Sequence, residues 1–255
     1  MLDRTFNAVF DGLNEQYKPE LEAVRVQYPF QDLRYRCPCL RFKYAEAMAL
    51  LREQGPPKLR ARLEGMTDEG AKKKLEARIE SVANHADTED IGTEDEKLLG
   101  EIVAEVHGQD FYIIDKFPSN VRPFYTMPDP VDPNFSNSYA LGRASDPAAG
   151  PRLLLTLLLT RFHPLYRYDI FIRGEEVTSG AQRIHDPQML LARAAAMEPP
   201  VDLTPIQAYV DSFKYGAFPH AGGGIGLERV VMLFLGLPNI RKSSMFPRDP
   251  RRLTP

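Results

Sequence analysis

The stretch PHAGGGIGLERVVMLFLGL, Pro219–Leu237, decides how the rest of the chain is read. Gly222, Gly223, Gly224 and Gly226 relieve steric limits and let a backbone or a ligand approach closely. Behind them Val230, Val231, Leu233, Phe234 and Leu237 recur at helical spacing, with Gly236 as the terminator. The spacing predicts a strand or loop opening into a buried helix, with Glu228 and Arg229 at the helix start. A helix start favours phosphate, and a guanidinium there adds a forked donor. Two familiar phosphate loops do not fit. The dinucleotide fingerprint would put Leu227 or Arg229 where its third glycine belongs, and no Lys followed by Ser or Thr closes a P-loop. A tight turn into a core helix with a surface ion pair fits the segment equally well, so the remainder of the chain must arbitrate.

At 255 residues the chain has room for one large domain or two small ones. Hydrophobic residues at 43% and charged residues at 26% suit a globular protein with a real core. A net charge of −3 excludes a wholly basic nucleic-acid surface. A local basic patch remains in RKSSMFPRDPRRLTP, with a solvated tail as its plainer reading. Cys37 and Cys39 in RCPCL lack the company of a metal site, since the five histidines are scattered, and read as ordinary thiols of a reducing compartment. The opening MLDRTFNAVF lacks the order of a signal peptide, and the apolar run from Leu153 is too short to span a bilayer. A cytoplasmic location without membrane association is expected.

The first segment places Phe6, Val9, Phe10, Leu13, Tyr17, Leu21 and Val24 on one helical stripe from Leu2 to Val26. A second helix is expected over Tyr44–Arg52, ending at Gly55-Pro56. The charged stretch 56–92 reads as an exposed helical insertion. In GTEDEKLLGEIVAEVHG, Thr93 reads as an N-cap, Glu96 as its capping-box partner and Gly108 as the stop. A strand follows in DFYIIDKFP. YDIFIRGEEVTSGAQRIH alternates like a hairpin around Arg173-Gly174-Glu175. Asp186-Pro187 starts one helix, and Thr204-Pro205-Ile206-Gln207 starts another. Helices around antiparallel hairpins give an α+β fold, an antiparallel sheet flanked by helices.

The hairpin is too polar for a purely structural strand. Asp169, Glu175, Glu176, Ser179, Gln182 and Arg183 share one short span, and like charges on a sheet repel unless a cation lies between them. Carboxylates and a hydroxyl suit magnesium together with phosphate. Arg183 suits a carboxylate, held bidentately. A ladder of surface ion pairs is the alternative. Magnesium, a phosphate-binding arginine and a carboxylate-binding arginine together suit carboxylate activation by ATP.

At this point the sequence resembles a known family. GGGIGLERVVMLFLGL is similar to the third signature motif of class II aminoacyl-tRNA synthetases. YDIFIRGEEVTSGAQRIHDP, VDSFKYGAFPHAGGGIGLER, FYIIDKFPSNVRPFYTMPDP and NIRKSSMFPRDPRRLTP resemble the cytosolic, eukaryote-type aspartyl-tRNA synthetases in particular. The resemblance implies the incomplete catalytic core of that class, with residues 1–255 as its C-terminal portion. It implies ATP and Mg2+, with L-aspartate and tRNA(Asp) as partners and a homodimer in the full-length form. Arg229 would contact the ATP γ-phosphate, and Gly226, Leu227 and Glu228 would line the nucleotide pocket. Asp169 and Glu176 would hold magnesium on the phosphates, with Ser179 beside them and also near the aspartate. Arg183 would read the side-chain carboxylate of aspartate. The acidic hairpin and the glycine-led helix would then converge on one cleft. The family's anticodon-binding domain and its first two motifs have no counterpart in the sequence. Residues 140–167 depart from the family pattern and are expected to be a mis-joined or intron-derived stretch; a genuine loop insertion is the alternative, and on that alternative poor order is expected there. A catalytically inactive binding module, or a relative that activates aspartate or asparagine without charging tRNA, are the rival readings.

Overall fold

A tight turn organises the strands that matter. Tyr168–Ile172 and Glu175–Arg183 are joined only by Arg173 and Gly174, at φ of 50° and 76°. Positive φ at both positions is the primed hairpin turn whose twist matches the flanking strands. Glycine adopts it freely, whereas a side chain there costs about 1 kcal/mol. Arg173 is held in place by its own guanidinium, which donates to the Leu233 carbonyl at 2.8 Å and the Gln31 carbonyl at 2.6 Å. Each such charged hydrogen bond contributes about 1.5–3 kcal/mol, enough to offset the strain.

The computed structural model describes residues 2–118, 122–128 and 168–254, and the atypical stretch 140–167 lies outside them. Its sheet has five strands in chain order: β1 Leu40–Lys43, β2 Phe111–Asp115, β3 Tyr168–Ile172, β4 Glu175–Arg183 and β5 His220–Ile225. Eight α-helices flank it among the described residues, as an α+β architecture requires. The chain divides into two compact units, residues 1–114, 169–179 and 224–255 in the first and residues 115–168 and 180–223 in the second.

In the first unit, Phe111–Ile114 are buried on both faces of the sheet, so this strand reads as a continuous apolar run. Phe10 packs between Phe111, at 5.3 Å, and Phe234, at 5.6 Å between ring centroids. Burying each such ring contributes roughly 1.5–3 kcal/mol. That contact anchors helix Leu227–Phe234, whose Val230, Met232, Leu233 and Phe234 are buried while Glu228 and Arg229 face solvent. In the second unit, Ile184, Leu190, Val210 and Phe213 form the core, and Asp186 caps helix Pro187–Ala195 by accepting from the Met189 amide at 2.8 Å.

Several elements differ from the sequence-based expectation. The first stripe is two helices, Leu2–Gln16 and Lys18–Gln27, because Pro19 removes an amide that a continuous helix would need. Val9 and Tyr17 of that stripe are exposed. Helix Tyr44–Leu63 runs straight through Gly55, Pro56 and Pro57. Burial outweighs the lost backbone bonds there: Gly55, Pro56 and Leu59 are inside, and a Cβ on Gly55 would lie 2.8 Å from Val82. The charged helix Glu69–Ala83 therefore has a packed side, through Ile79 and Val82. The cap of helix Thr93–His107 is Gly92, not Thr93, and no side chain bonds there. Thr204 opens a short 3-10 turn over Thr204–Ile206, and Asp202 supplies the side-chain acceptor.

Candidate active site

The hairpin turn presses against helix Thr93–His107 without intervening side chains. A Cβ on Gly100 would sit 2.3 Å from the Gly174 Cα, and a Cβ on Gly174 would sit 2.9 Å from the Glu96 carbonyl. Small residues on both sides thus set how near the first turn of that helix comes to the acidic hairpin. Lys97, one residue on, pairs with Glu175 at 3.3 Å, so the surface ion-pair reading holds for that carboxylate.

The neighbouring residues are arranged differently. Asp169 is buried on β3 and accepts from the Ser179 hydroxyl of β4 at 2.8 Å. Glu176 is half-buried at the start of β4. The glycine-led segment then closes on this strand at several points. The Thr178 hydroxyl donates to the Gly224 carbonyl, the Gly226 amide donates to the Val177 carbonyl at 3.1 Å, and Arg229 Nη1 donates to the Glu176 carbonyl at 2.7 Å. The acidic hairpin and the glycine-led helix are therefore in direct contact within the first unit. Gly226 serves as N-cap without a side-chain bond, and Gly226, Leu227, Glu228 and Arg229 are all exposed.

Glu96 joins this group, a residue the sequence reading assigned to a capping box. Burial, reinforced by Glu176, Asp90 and Asp169 and opposed by Arg229, pushes its carboxyl up to about 7. Nothing local in the sequence separates Glu96 from an ordinary helix-opening glutamate. The usable signal was its spacing from Gly100: the two lie one turn apart on the same helical face, where the missing side chain admits the hairpin. Among the described residues, no three His, Cys, Asp or Glu side chains could hold a metal ion by themselves. Magnesium asks for less, one or two carboxylates plus substrate phosphate and water. A cluster in which acids outnumber the local cation fits that donor set.

Arg183 ends β4 in the second unit. Its guanidinium stands 5.5 Å from the Tyr125 ring centroid, and a Cβ on Gly222 would lie 3.3 Å from its Nη2. The backbone is fixed by an antiparallel bridge to Thr126 and by the Ile184 amide donating to the Tyr125 carbonyl at 2.8 Å. The Arg183 side chain is half-buried. Cys37 and Cys39 are free thiols. No helix among the described residues is long and apolar enough to cross a membrane.

A family model described as tRNA synthetases class II (D, K and N) matches residues 1–250. The human protein named aspartate–tRNA ligase, cytoplasmic, is 45% identical over 251 residues, which are 98% of this chain and 38% of the human one. Its namesake from Caenorhabditis elegans is 46% identical over 247 residues, covering 97% of this chain and 36% of the relative. The solved aspartyl tRNA synthetase from Entamoeba histolytica aligns with 100% of this chain and 40% of its own, at a TM-score of 0.71 and 41% identity. This chain spans less than half the length of each of these relatives.

Proposed function

Because this chain belongs to the class II tRNA synthetases of the D, K and N type, we propose that it forms the C-terminal part of the catalytic domain of a cytoplasmic aspartate–tRNA ligase. ATP, L-aspartate and tRNA(Asp) are the substrates on this reading, and the full-length protein is a homodimer. The observation that supports it most is the contact of the glycine-led helix with the acidic hairpin, made by Arg229 on the Glu176 carbonyl.

The chemistry needs no protein nucleophile. An oxygen of the aspartate α-carboxylate attacks the α-phosphate of ATP, a carboxyl–phosphate bond forms, the α–β anhydride breaks, and pyrophosphate leaves with the electron pair. The terminal ribose hydroxyl of tRNA then displaces AMP from the aspartyl-adenylate. Catalysis is therefore positioning plus charge stabilisation. Arg229 is the cation for the γ-phosphate, beside the exposed backbone of Gly226, Leu227 and Glu228. Asp169 and Glu176, with the Ser179 hydroxyl, would hold magnesium, which when bound offsets phosphate charge. Ser179 and Arg183 recognise aspartate. The guanidinium of Arg183 selects against asparagine, because an amide leaves it without a counter-charge.

Calorimetric titration tests the assignment. Arg183→Leu should weaken L-aspartate binding about a hundredfold or more while leaving ATP binding within about twofold. Equal loss of both ligands would remove Arg183 from its role. A full-length polypeptide carrying this segment should catalyse aspartate-dependent ATP–pyrophosphate exchange, and its failure to do so would favour a non-catalytic binding module.

A further inference from the structure

The activation chemistry proposed above gives no role to the basic run at the end of the chain. From Asn239 to Pro255 there are five cationic residues, Arg241, Lys242, Arg248, Arg251 and Arg252, against Asp249 alone. The segment carries +4 in a chain of net −3, so the other residues together carry −7. All five cations are exposed, together with Met245 and Phe246, the latter at 61%.

The run is built rather than loose. Asn239 accepts from the Arg241 amide at 2.9 Å and starts the short turn Ile240–Lys242. Asp249 accepts from the amides of Arg251, at 2.7 Å, and Arg252, at 3.0 Å, and its second oxygen meets Arg241 Nε at 3.1 Å. The one acidic residue of the segment thus orders the backbone that displays its arginines. Lys242 lies 3.9 Å from the Tyr28 ring centroid. The Ser243 hydroxyl donates to the Glu228 carbonyl at 2.8 Å, which ties the basic segment to the residue before Arg229.

We propose that this C-terminal arginine surface binds the phosphate backbone of an RNA, the strand whose end is aminoacylated. An ordered cationic strip on an otherwise acidic chain is the footprint of a polyanion. An exposed aromatic ring among the cations offers a stacking platform for an unpaired base. The choice of RNA among polyanions rests on the ligase reading, and the strip's attachment to the Arg229 helix places it beside the candidate site.

Fluorescence anisotropy with a labelled RNA hairpin bearing a single-stranded CCA end tests this on the chain itself. The logarithm of the binding constant should fall linearly with the logarithm of salt concentration, and R248Q/R251Q/R252Q should flatten that slope by about 3, roughly one per arginine. Removing the same number of exposed charges elsewhere, with R60Q/K73Q/K74Q, should change it by less than about 1. Phe246→Ala should lower affinity about fivefold or more with the slope unchanged. Equal effects of the two triple variants, no RNA binding by the folded wild type, or preference for anionic phosphatidylserine vesicles over the hairpin would each overturn the proposal. ATP and aspartate binding should be identical in wild type and R248Q/R251Q/R252Q, so failure here is separable from failure of the ligase reading.

Discussion

Glu96 opens helix Thr93–His107 and Asp110 follows its end, yet their surroundings are opposite in design. Asp110 is 5% exposed and fully answered: Arg34 donates through Nε at 3.0 Å, Nη2 at 2.7 Å and its backbone amide at 2.9 Å. Burial by itself would push the Asp110 carboxyl up, but the Arg34 side chain and backbone, then the charges of Arg34 and Arg173, hold it below the usual carboxylate range. Around Glu96 burial and three further acids act in one direction, with Arg229 as the counterweight. Arg229 also gives a donor to the Glu176 carbonyl rather than to a carboxylate. A carboxylate matched donor for donor locks a helix end to its neighbour. A group in which acids exceed cations is stable only as far as burial elsewhere sustains it, and it suits a ligand that brings positive charge.

The contrast can be broken most sharply at Asp110. Asp110→Ala should cost about 3 kcal/mol, the lower end for breaking a buried pair, since Arg34 is half exposed and can recover some hydration. A urea midpoint corresponding to less than about 1 kcal/mol would show that the pair is ornamental. Arg34→Lys keeps the charge but loses the fork, and about 1.5 kcal/mol should be lost in the same measurement.

The smallest effect concerns pH in chain stripped of divalent ions. Glu96 rises from 4.5 to about 7 on folding, so between those values the native state binds more protons than the unfolded one. Its contribution to stability is therefore present below about pH 4.5 and is lost as pH rises toward 7. After allowance for solvent screening, Glu96→Gln should gain about 1 kcal/mol relative to wild type at pH 8 and nothing at pH 4. Asp110 has the opposite sign. Its stabilisation holds above its unfolded value of 3.8 and fades as pH falls through the lowered native one. Thermal melts across pH 3–8 on wild type, Glu96→Gln and Asp110→Ala separate the two slopes.

Elements that rest on local chemistry were legible without coordinates. The hairpin turn needed a glycine at Gly174, the cap of helix Pro187–Ala195 needed Asp186, and Gly108 and Gly236 end their helices at φ of 64° and 59°. The acidic hairpin and Arg229 were legible as chemistry for the same reason: an unusual density of charge on a strand is visible in one dimension. Misreadings arose where packing overruled a local rule. Two prolines should end helix Tyr44–Leu63, but Gly55 against Val82 keeps it whole. Thr93 and Glu96 match a capping box letter for letter, yet Gly92 takes the cap and Glu96 is drawn toward the hairpin.

By itself the sequence determined the types of element, the turn residues, the acidic strand, and the glycine-led helix with its arginine, because each depends on steric and hydrogen-bond preferences within a few residues. Only the tertiary structure decided that Thr178, Gly226 and Arg229 clasp β4 and that Glu96 shares the charge of Asp169 and Glu176. The placement of Glu96 depends on how closely Gly100 and Gly174 approach, 74 positions apart in the chain, and no local preference encodes a distance of that kind.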